Sequence, residues 1–380
     1  MKKKPVLEIL IFIISLIPLF AHESESVKFI KGNIKEKTLA VKAAADAGDY
    51  SLCIRGMDFA IENAAVLDDD KDTEELLNEC ILNVNKSQAA DENEISSRLC
   101  TIFKTYSSRE VKINVLSKFS KFPSPAAVSI VNSFISESIQ KATPVNDAVR
   151  NSMTFLKANG NNTSFRLLFV ADIINVWPEE KKLLSETWGP LANNSGTEIL
   201  QLLSGASNSE KLSILEAVRK NLYVSKKIRG EVAENALSQA IYNVDDSSRT
   251  VIDLQLSALQ AIADARWTQA SELVTSYFLI ARNEYEQGWI NAEEFSSVIS
   301  SSVKVASSKT GEVLSGYLDA LNGNMEAKNV PEKAVVLSVI NALGGLGDKT
   351  AFDSLLYVTY LDYPEEVTIA ARNALAKLKW

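Results

Sequence analysis

Apolar residues near the C-terminus of the chain recur with the period of an α-helix. Val336, Val339, Ile340 and Leu343 are spaced i, i+3, i+4 and i+7, which places them on one face of a predicted helix. A second series with the same spacing follows, and it consists of Val367, Ala370, Ala371, Ala374, Leu375 and Leu378. The pattern predicts amphipathic helices that each bury one face against a neighbour.

Breaker residues divide these series into short helices. We expect Gly344, Gly345 and Gly347 to end the first helix, because glycine tolerates the left-handed conformation found at helix C-termini. Asp348 is predicted to cap the helix that follows. The run 362–364, Asp-Tyr-Pro, is predicted to stop that helix and start another, since proline is accepted in a first helical turn.

The helical pattern repeats along most of the chain. Comparable apolar positions are separated by 38, 63, 42, 44 and 41 residues, and they are Val111, Val149, Leu212, Leu254, Val298 and Val339. All but one of these separations lie near the ~40–47 residues of a repeated helix pair. The 63-residue interval, which holds Trp177 and Trp188, predicts either an insertion in one unit or an irregular hairpin.

A motif of about 50 residues, 331–380, is the most regular part of the array. It contains Ala342-Leu343-Gly344-Gly345-Leu346-Gly347-Asp348, then Ala351, Leu355, Pro364, Val367, Ala370-Ala371 and Ala374-Leu375. This segment resembles a HEAT repeat of the bacterial, lyase-type kind. The resemblance implies an α-solenoid, an α-α superhelix of stacked helical hairpins, with a protein-binding or scaffolding role. Residues 37–67, broken at 48–50, resemble a single tetratricopeptide-like helix pair.

Composition supports an all-α fold. The 380 residues include only 15 Gly and 9 Pro, which leaves little room for the turns of a many-stranded β protein. Apolar residues make up 46% of the chain, an ordinary share for a folded protein.

Residues 1–21 have the pattern of a secretory signal peptide. Three lysines, Lys2 to Lys4, precede an apolar run over 6–20, which is shorter than the ~20 residues of a spanning helix. We expect cleavage after Ala21 and a periplasmic or secreted bacterial protein; the alternative is an uncleaved inner-membrane anchor. The rest divides into an N-terminal helical hairpin region, 22–106, and a HEAT-like array, 107–380.

The net charge of the chain narrows the choice of binding partners. The formal charge is −8, and removal of residues 1–21 takes away three lysines and one glutamate and leaves −10. With no long basic run after the leader, we expect neither nucleic acid nor an anionic lipid surface as partner, and no membrane insertion once the leader is cleaved.

Cys53, Cys80 and Cys100 allow either one disulfide with a spare thiol or three free thiols.

Several short motifs suggest enzymatic chemistry only superficially. The run 344–350, GGLGDKT, lacks the glycine directly before lysine that a phosphate-binding loop needs, so it indicates an interhelix turn. Ser138–Lys141 and Ser301–Lys304 fit Ser-x-x-Lys, and Lys309–Gly311 fits Lys-Thr-Gly. No Ser-x-Asn accompanies them, and Lys-Thr-Gly begins only five residues after Lys304, so we read them as chance matches.

The acidic, imidazole and indole side chains do not assign a specific site either. The acidic cluster 68–79 lacks the glycine of a calcium loop and predicts a solvated turn before a helix, with weak Ca²⁺ affinity as the alternative. His22 is the only histidine and directly follows the expected cleavage site. The five tryptophans are interface anchors or, as we favour, partly buried side chains at repeat junctions, and they are Trp177, Trp188, Trp267, Trp289 and Trp380.

The sequence therefore predicts an exported, non-enzymatic protein-binding or scaffolding α-solenoid. No catalytic, cofactor-binding or metal residue is assigned, and no cofactor is expected. The alternative is a cell-wall or carbohydrate-acting enzyme on an α/α scaffold that uses Asp and Glu residues, which would require two converging carboxylates in a pocket.

Overall fold

The amphipathic segments of the sequence form helices throughout the described part of the chain. The structure, a computed structural model, describes residues 25–87, 90–242 and 248–379. Within these ranges the regular secondary structure is helical, apart from isolated bridges that join Ser87 to Ala90 and Asp348 to Lys379. The prediction of an all-α protein is thus confirmed. The predicted leader, 1–21, lies outside the described residues, and no helix within them is both long and apolar enough to cross a membrane.

The helices are numbered in chain order, and short 3-10 turns precede α10, α15 and α19. Helix α1 covers residues 25–31 of the described chain. The other helices are α2 (Ile34–Asp46), α3 (Ser51–Leu67), α4 (Lys71–Asn83), α5 (Glu92–Thr105), α6 (Arg109–Phe119), α7 (Pro125–Gln140), α8 (Asp147–Asn159), α9 (Asn162–Ile173), α10 (Lys181–Ala192), α11 (Gly196–Gly205), α12 (Asn208–Lys220), α13 (Lys226–Ala240), α14 (Arg249–Ala265), α15 (Ser271–Glu286), α16 (Ala292–Val303), α17 (Ser308–Glu326), α18 (Lys333–Leu346), α19 (Phe352–Val358) and α20 (Glu365–Leu375).

Local sequence signals set many helix starts. Asn33, Asp91 and Asn291 each accept a hydrogen bond from the backbone N–H three residues on, at 3.0, 2.9 and 2.9 Å. In each case that third residue is a glutamate whose side chain accepts from the backbone of the capping residue. These reciprocal capping boxes satisfy backbone donors that have no partner inside the helix.

The glycines near the C-terminus have different roles from the one predicted. Helix α18 continues through Gly344 and Gly345, and only Gly347 takes the left-handed conformation, with φ of 66°, at its C-cap. Gly344 instead lies where α18 meets α20, since a Cβ at this position would be 2.9 Å from the Cβ of Ala374. The prediction that all three glycines end the helix was therefore wrong for two of them.

The first compact unit contains the residues up to Leu191. In it α2, α4, α6 and α8 pack side by side as one layer, while α3, α5, α7 and α9 form the second layer. The two layers contact each other through pairs that are consecutive in the chain, among them α2 with α3, α3 with α4, α5 with α6 and α7 with α8. The division predicted at 106/107 lies within this unit, and α2 and α3 form the helix pair predicted for 37–67, with the break at Gly48.

The second compact unit begins at Ala192 and has the same kind of packing. Helices α12, α14, α16, α18 and α20 contact one another in that order, and α15, α17 and α19 do the same opposite them. The apolar positions used for the repeat count all lie on even-numbered helices, α6, α8, α12, α14, α16 and α18. The 63-residue interval skips α10, so it holds two short helix pairs, α8–α9 and α10–α11, where the neighbouring intervals hold one.

Candidate functional site

The hydroxyl residues of the Ser-x-x-Lys and Lys-Thr-Gly matches lie on helices and have hydrogen-bond partners within the fold. Ser138 Oγ donates to the Phe134 carbonyl oxygen at 2.8 Å, and Ser301 Oγ donates to Gln260 Oε1 at 3.4 Å. Thr310 is at the start of α17, where its hydroxyl accepts from the Ser307 N–H at 3.0 Å. Lys-Thr-Gly is thus part of a helix, whereas the hydrolase motif places it on a strand.

The acidic cluster 68–79 surrounds the start of α4, as predicted. Asp70 caps this helix by accepting from the Thr73 N–H at 2.8 Å and from its hydroxyl at 2.7 Å, and these bonds lower the pKa of Asp70. Asp68 accepts from the Ser107 N–H at 3.0 Å, and Asp72 pairs with Lys35 at 3.5 Å. Across the described residues no group of three His, Cys, Asp or Glu side chains is placed to hold a metal ion.

All three cysteines are free and buried, which is one of the two arrangements that the sequence allowed. Burial raises the pKa of Cys53 to about 12, and burial also raises the pKa of Cys80. Such thiols react slowly, because the nucleophile is the thiolate.

The tryptophans that the structure describes behave mainly as packing residues. Trp177 and Trp188 are buried, while Trp267 and Trp289 are half-buried. The indole N–H groups of the two buried rings donate to the Thr143 carbonyl oxygen at 2.9 Å and to Asp172 Oδ2 at 2.8 Å. These contacts favour the packing role over the interface role. Trp380 lies outside the described residues, as does His22.

Among the described residues, the side chains of two carboxylates are buried. Burial raises the pKa of Asp172, although its hydrogen bond from Trp188 opposes the shift, and burial likewise raises the pKa of Glu284, which Gln255 contacts. Perturbed carboxyl groups are common at active sites. However, Asp172 belongs to the first unit and Glu284 to the second, and neither lines one of the grooves described next.

Two open grooves lie side by side on the second layer of the first unit. The first groove, between α5 and α7, has a volume of about 850 Å³, and the second, between α7 and α9, about 440 Å³. The polar residues of the first groove are Asn93, Ser96, Ser97, Thr101, Lys104, Thr105 and Ser124. Those of the second groove are Ser129, Asn132, Ser133, Ser136, Glu137, Gln140, Asn161 and Thr163. We call this surface the hydroxyl–amide face.

Packing between helices builds the first groove. The Ser96 and Ser124 hydroxyls are 2.7 Å apart, and Ser124 also caps α7 by accepting from the Ala127 N–H at 3.1 Å. Cys100 lies beside both hydroxyls, and burial raises the pKa of its thiol. Lys104 is the one charged side chain among the described residues that line this groove.

The second groove contains a buried amide with spare hydrogen-bonding capacity. Asn132 is only 5% exposed, and its Nδ2 donates to Asn161 Oδ1 at 3.5 Å. Its Oδ1 accepts no hydrogen bond from the described residues, which is unusual for a buried oxygen. Glu137 lies at the rim, where the Lys141 ammonium lowers its pKa. The groove therefore offers amide and hydroxyl groups and little charge.

Sequence reasoning missed the hydroxyl–amide face, although a signal for it was present. On α7 the residues Ser129, Ser133, Ser136 and Gln140 follow at intervals of four, three and four, which is one face of a helix. A search for apolar periodicity alone does not find such a polar stripe. This stripe lines the second groove, but the groove itself depends on the packing of α7 against α9, which the spacing does not reveal.

Comparison with known proteins does not assign the chain to a family. No protein-family model and no curated protein sequence matches the chain.

Proposed function

We propose that the chain is an exported, non-enzymatic protein-binding or scaffolding protein, built as a HEAT-like α-solenoid, whose hydroxyl–amide face binds an extended polypeptide segment. The solenoid reading is supported by the side-by-side packing of helices within each unit and by the placement of equivalent apolar positions on even-numbered helices. The signal-peptide pattern of 1–21 supports export.

The lining of the two grooves carries the proposal for the ligand. An extended peptide backbone presents alternating N–H and C=O groups, and primary amides and hydroxyls can both donate to and accept from it. Asn132, with its unfilled Oδ1, is suited to receive one such N–H. Among the described residues that line the two grooves there is no aromatic side chain of the kind that stacks on a sugar ring or nucleobase, so the surface is better suited to a polypeptide than to a glycan.

The grooves described above give less support to the enzyme alternative. A glycosidase-like mechanism requires two carboxyl groups roughly 5–10 Å apart around one bond. The described lining of the two grooves includes one carboxylate, Glu137. A third groove, between α1 and α2, contains Glu25 and Glu36, but the first pairs with Lys28 at 2.6 Å and the second completes the capping box of α2.

Site-specific photocrosslinking in the cells of origin tests the proposal. A photoreactive residue at Ser133, which is exposed in the second groove, should form a covalent adduct with a defined protein. The matched control places the same residue at Ser117, which is exposed on α6 in the other layer and should yield no such adduct. The groove-filling change Ser129→Trp should abolish the Ser133 adduct while leaving the circular dichroism spectrum unchanged.

Two results would count against the proposal. If Ser133 and Ser117 capture the same proteins equally, the hydroxyl–amide face has no selective partner. If neither position captures a protein while cell-wall glycan fragments bind the purified chain, the carbohydrate-acting alternative replaces the protein-binding one.

A further inference from the structure

The second unit has one edge at which successive helix ends of the same polarity meet. Because α12, α14, α16, α18 and α20 pack side by side and are joined through returning helices, their C-termini lie together. Arg219 Nη1 is 3.2 Å from Asp264 Oδ2, which joins the ends of α12 and α14. The Lys379 N–H donates to the Gly347 carbonyl oxygen at 2.9 Å, which joins the chain after α20 to the end of α18. We call this side the C-terminal edge.

The C-terminal edge carries an excess of basic side chains. Each turn contributes at least one exposed cationic side chain, and these are Lys226, Arg266, Lys304, Lys349, Lys377 and Lys379. Acidic side chains also occur here: Asp264 is engaged by Arg219 at 3.2 Å and Glu272 by Lys309 at 3.8 Å, while Glu312 and Asp353 are exposed. Neighbouring helices are roughly 10 Å apart, so the row extends over about 40 Å.

The opposite edge of the same unit is acidic. The helices α16, α18 and α20 begin there, and the exposed carboxylates around their first turns include Glu293, Glu332 and Glu365. Acidic residues are favoured at helix N-termini and basic residues at C-termini by the helix dipole. Since the helices of this layer run in the same direction, the acidic residues of their N-termini collect at one edge and the basic residues of their C-termini at the other. The overall charge of −8 therefore conceals a separation of charge across the unit.

An apolar tip protrudes from the basic edge. Leu222, in the turn between α12 and α13, is 87% exposed, and the exposed Tyr223 follows it. Asn193 holds this turn, since its Nδ2 donates to the Tyr223 carbonyl oxygen at 2.9 Å and its Oδ1 accepts from the Ser225 N–H at 2.7 Å. Lys220 and Lys226 flank the tip and are exposed. A well-held turn thus presents a leucine to the surroundings.

We propose that the C-terminal edge of the second unit lies against an anionic phospholipid surface, with Leu222 and Tyr223 inserted at the headgroup level. A row of cationic side chains matches the negative potential of such a surface. An exposed apolar and aromatic tip between lysines matches the boundary where headgroups meet acyl chains. A soluble polyanion would satisfy the charges but offers no apolar phase for Leu222. The proposal does not depend on the hydroxyl–amide face, which belongs to the first unit.

This inference departs from the expectation drawn from net charge. That expectation rested on the excess of acidic residues and on the lack of a long basic run in the sequence. A peripheral contact needs only one basic edge, because charges on the far side of a unit are screened beyond about 10 Å at 0.1 M salt.

Vesicle sedimentation tests the proposal. The chain that begins at residue 22 is used, because the predicted leader is itself apolar and all described residues follow it. It should bind vesicles that contain about 30% phosphatidylglycerol, release them as salt is raised from about 0.05 to 0.5 M, and ignore pure phosphatidylcholine. Lys226→Glu/Lys304→Glu/Lys349→Glu should lower the partition coefficient about tenfold or more.

Matched variants separate the proposed contact from general charge effects. Lys211→Glu/Lys328→Glu/Lys333→Glu makes the same change in net charge among residues at the opposite edge and should leave vesicle binding within about twofold. Leu222→Asn should weaken vesicle binding about fivefold but not binding to soluble polyphosphate, whereas Val330→Asn, an exposed apolar position at the other edge, should change neither.

Three outcomes would overturn the proposal. The first is no sedimentation of the chain with anionic vesicles at low salt. The second is equal loss of binding in the two triple variants, which would make the effect one of net charge. The third is binding to polyphosphate together with an unchanged affinity of Leu222→Asn for vesicles, which would assign the edge to a soluble polyanion.

Discussion

The close approach of α18 and α20 gives the sharpest test of the packing within the second unit. Gly344 and Gly345 are adjacent residues in the last turn of α18, yet they face different surroundings. A Cβ added at Gly344 would be 2.9 Å from Ala374 Cβ and 3.0 Å from Ala374 Cα, while one added at Gly345 would be 3.9 Å from Val303 Cγ1. Ordinary carbon contacts lie at about 3.5–4.0 Å, so only the first position is too crowded.

Alanine at these two glycines should therefore have opposite effects. In a helix interior, replacing glycine by alanine stabilises by about 1 kcal/mol. Gly345→Ala, in the last turn of α18, should show part of this gain. Gly344→Ala forces α18 and α20 apart, and overpacking of this kind costs about 1–3 kcal/mol. The two variants should thus differ by about 1–3 kcal/mol in the free energy of unfolding, with Gly344→Ala the less stable.

A double-mutant cycle identifies the cause. Ala374→Gly removes the methyl group that Gly344→Ala would strike, so the double variant Gly344→Ala/Ala374→Gly should recover most of the overpacking cost as coupling energy. Urea unfolding followed by circular dichroism gives the free energies, and amide exchange in α18 and α20 shows whether the loss is local. Equal stability of Gly344→Ala and Gly345→Ala, or additive effects in the cycle, would refute the close approach.

Three further predictions concern buried groups. Trp188→Phe should destabilise by about 1–3 kcal/mol in urea unfolding, because Asp172 loses its donor in a buried site; a cost below about 0.5 kcal/mol would contradict that bond. Burial raises the pKa of Glu284 above its ordinary value, so the stability that this side chain contributes at acid pH is lost as the pH rises through the raised pKa. The free energy of unfolding of Glu284→Gln should therefore match that of the wild type at pH 4 and exceed it at pH 8. Parallel pH profiles of the two proteins would contradict this. Thiol titration without reductant should find three thiols in the unfolded chain, with Cys100 the first to react in the folded one; a single thiol would indicate a disulfide.

Helix boundaries and caps were predictable because they depend on nearby residues. A capping box requires only a polar residue and a glutamate three positions later, so Asn33 with Glu36 is legible in the sequence. The role of Gly347 was equally legible, since a glycine after an apolar helical run favours a left-handed C-cap. The role of Gly344 was not, because it depends on Ala374, which is 30 residues away in the chain and approaches only when α20 packs on α18.

The grooves also combine a feature that the sequence shows with features that depend on tertiary packing. The polar stripe on α7 could be found from its spacing, but the volume of the second groove exists only because α7 and α9 pack side by side. The unfilled acceptor of Asn132 is likewise a tertiary property, since α7 alone would leave this side chain in water, where the acceptor would be hydrated.

The sequence by itself determined the all-helical class, the starts and stops of many helices and the approximate period, because these follow from side-chain spacing and short-range backbone chemistry. Tertiary structure alone decided which glycine permits close packing, which hydroxyls share a groove and that basic helix ends align at one edge of the second unit. These properties join residues that are tens of positions apart, and the distances between such residues are set by the packing of whole helices.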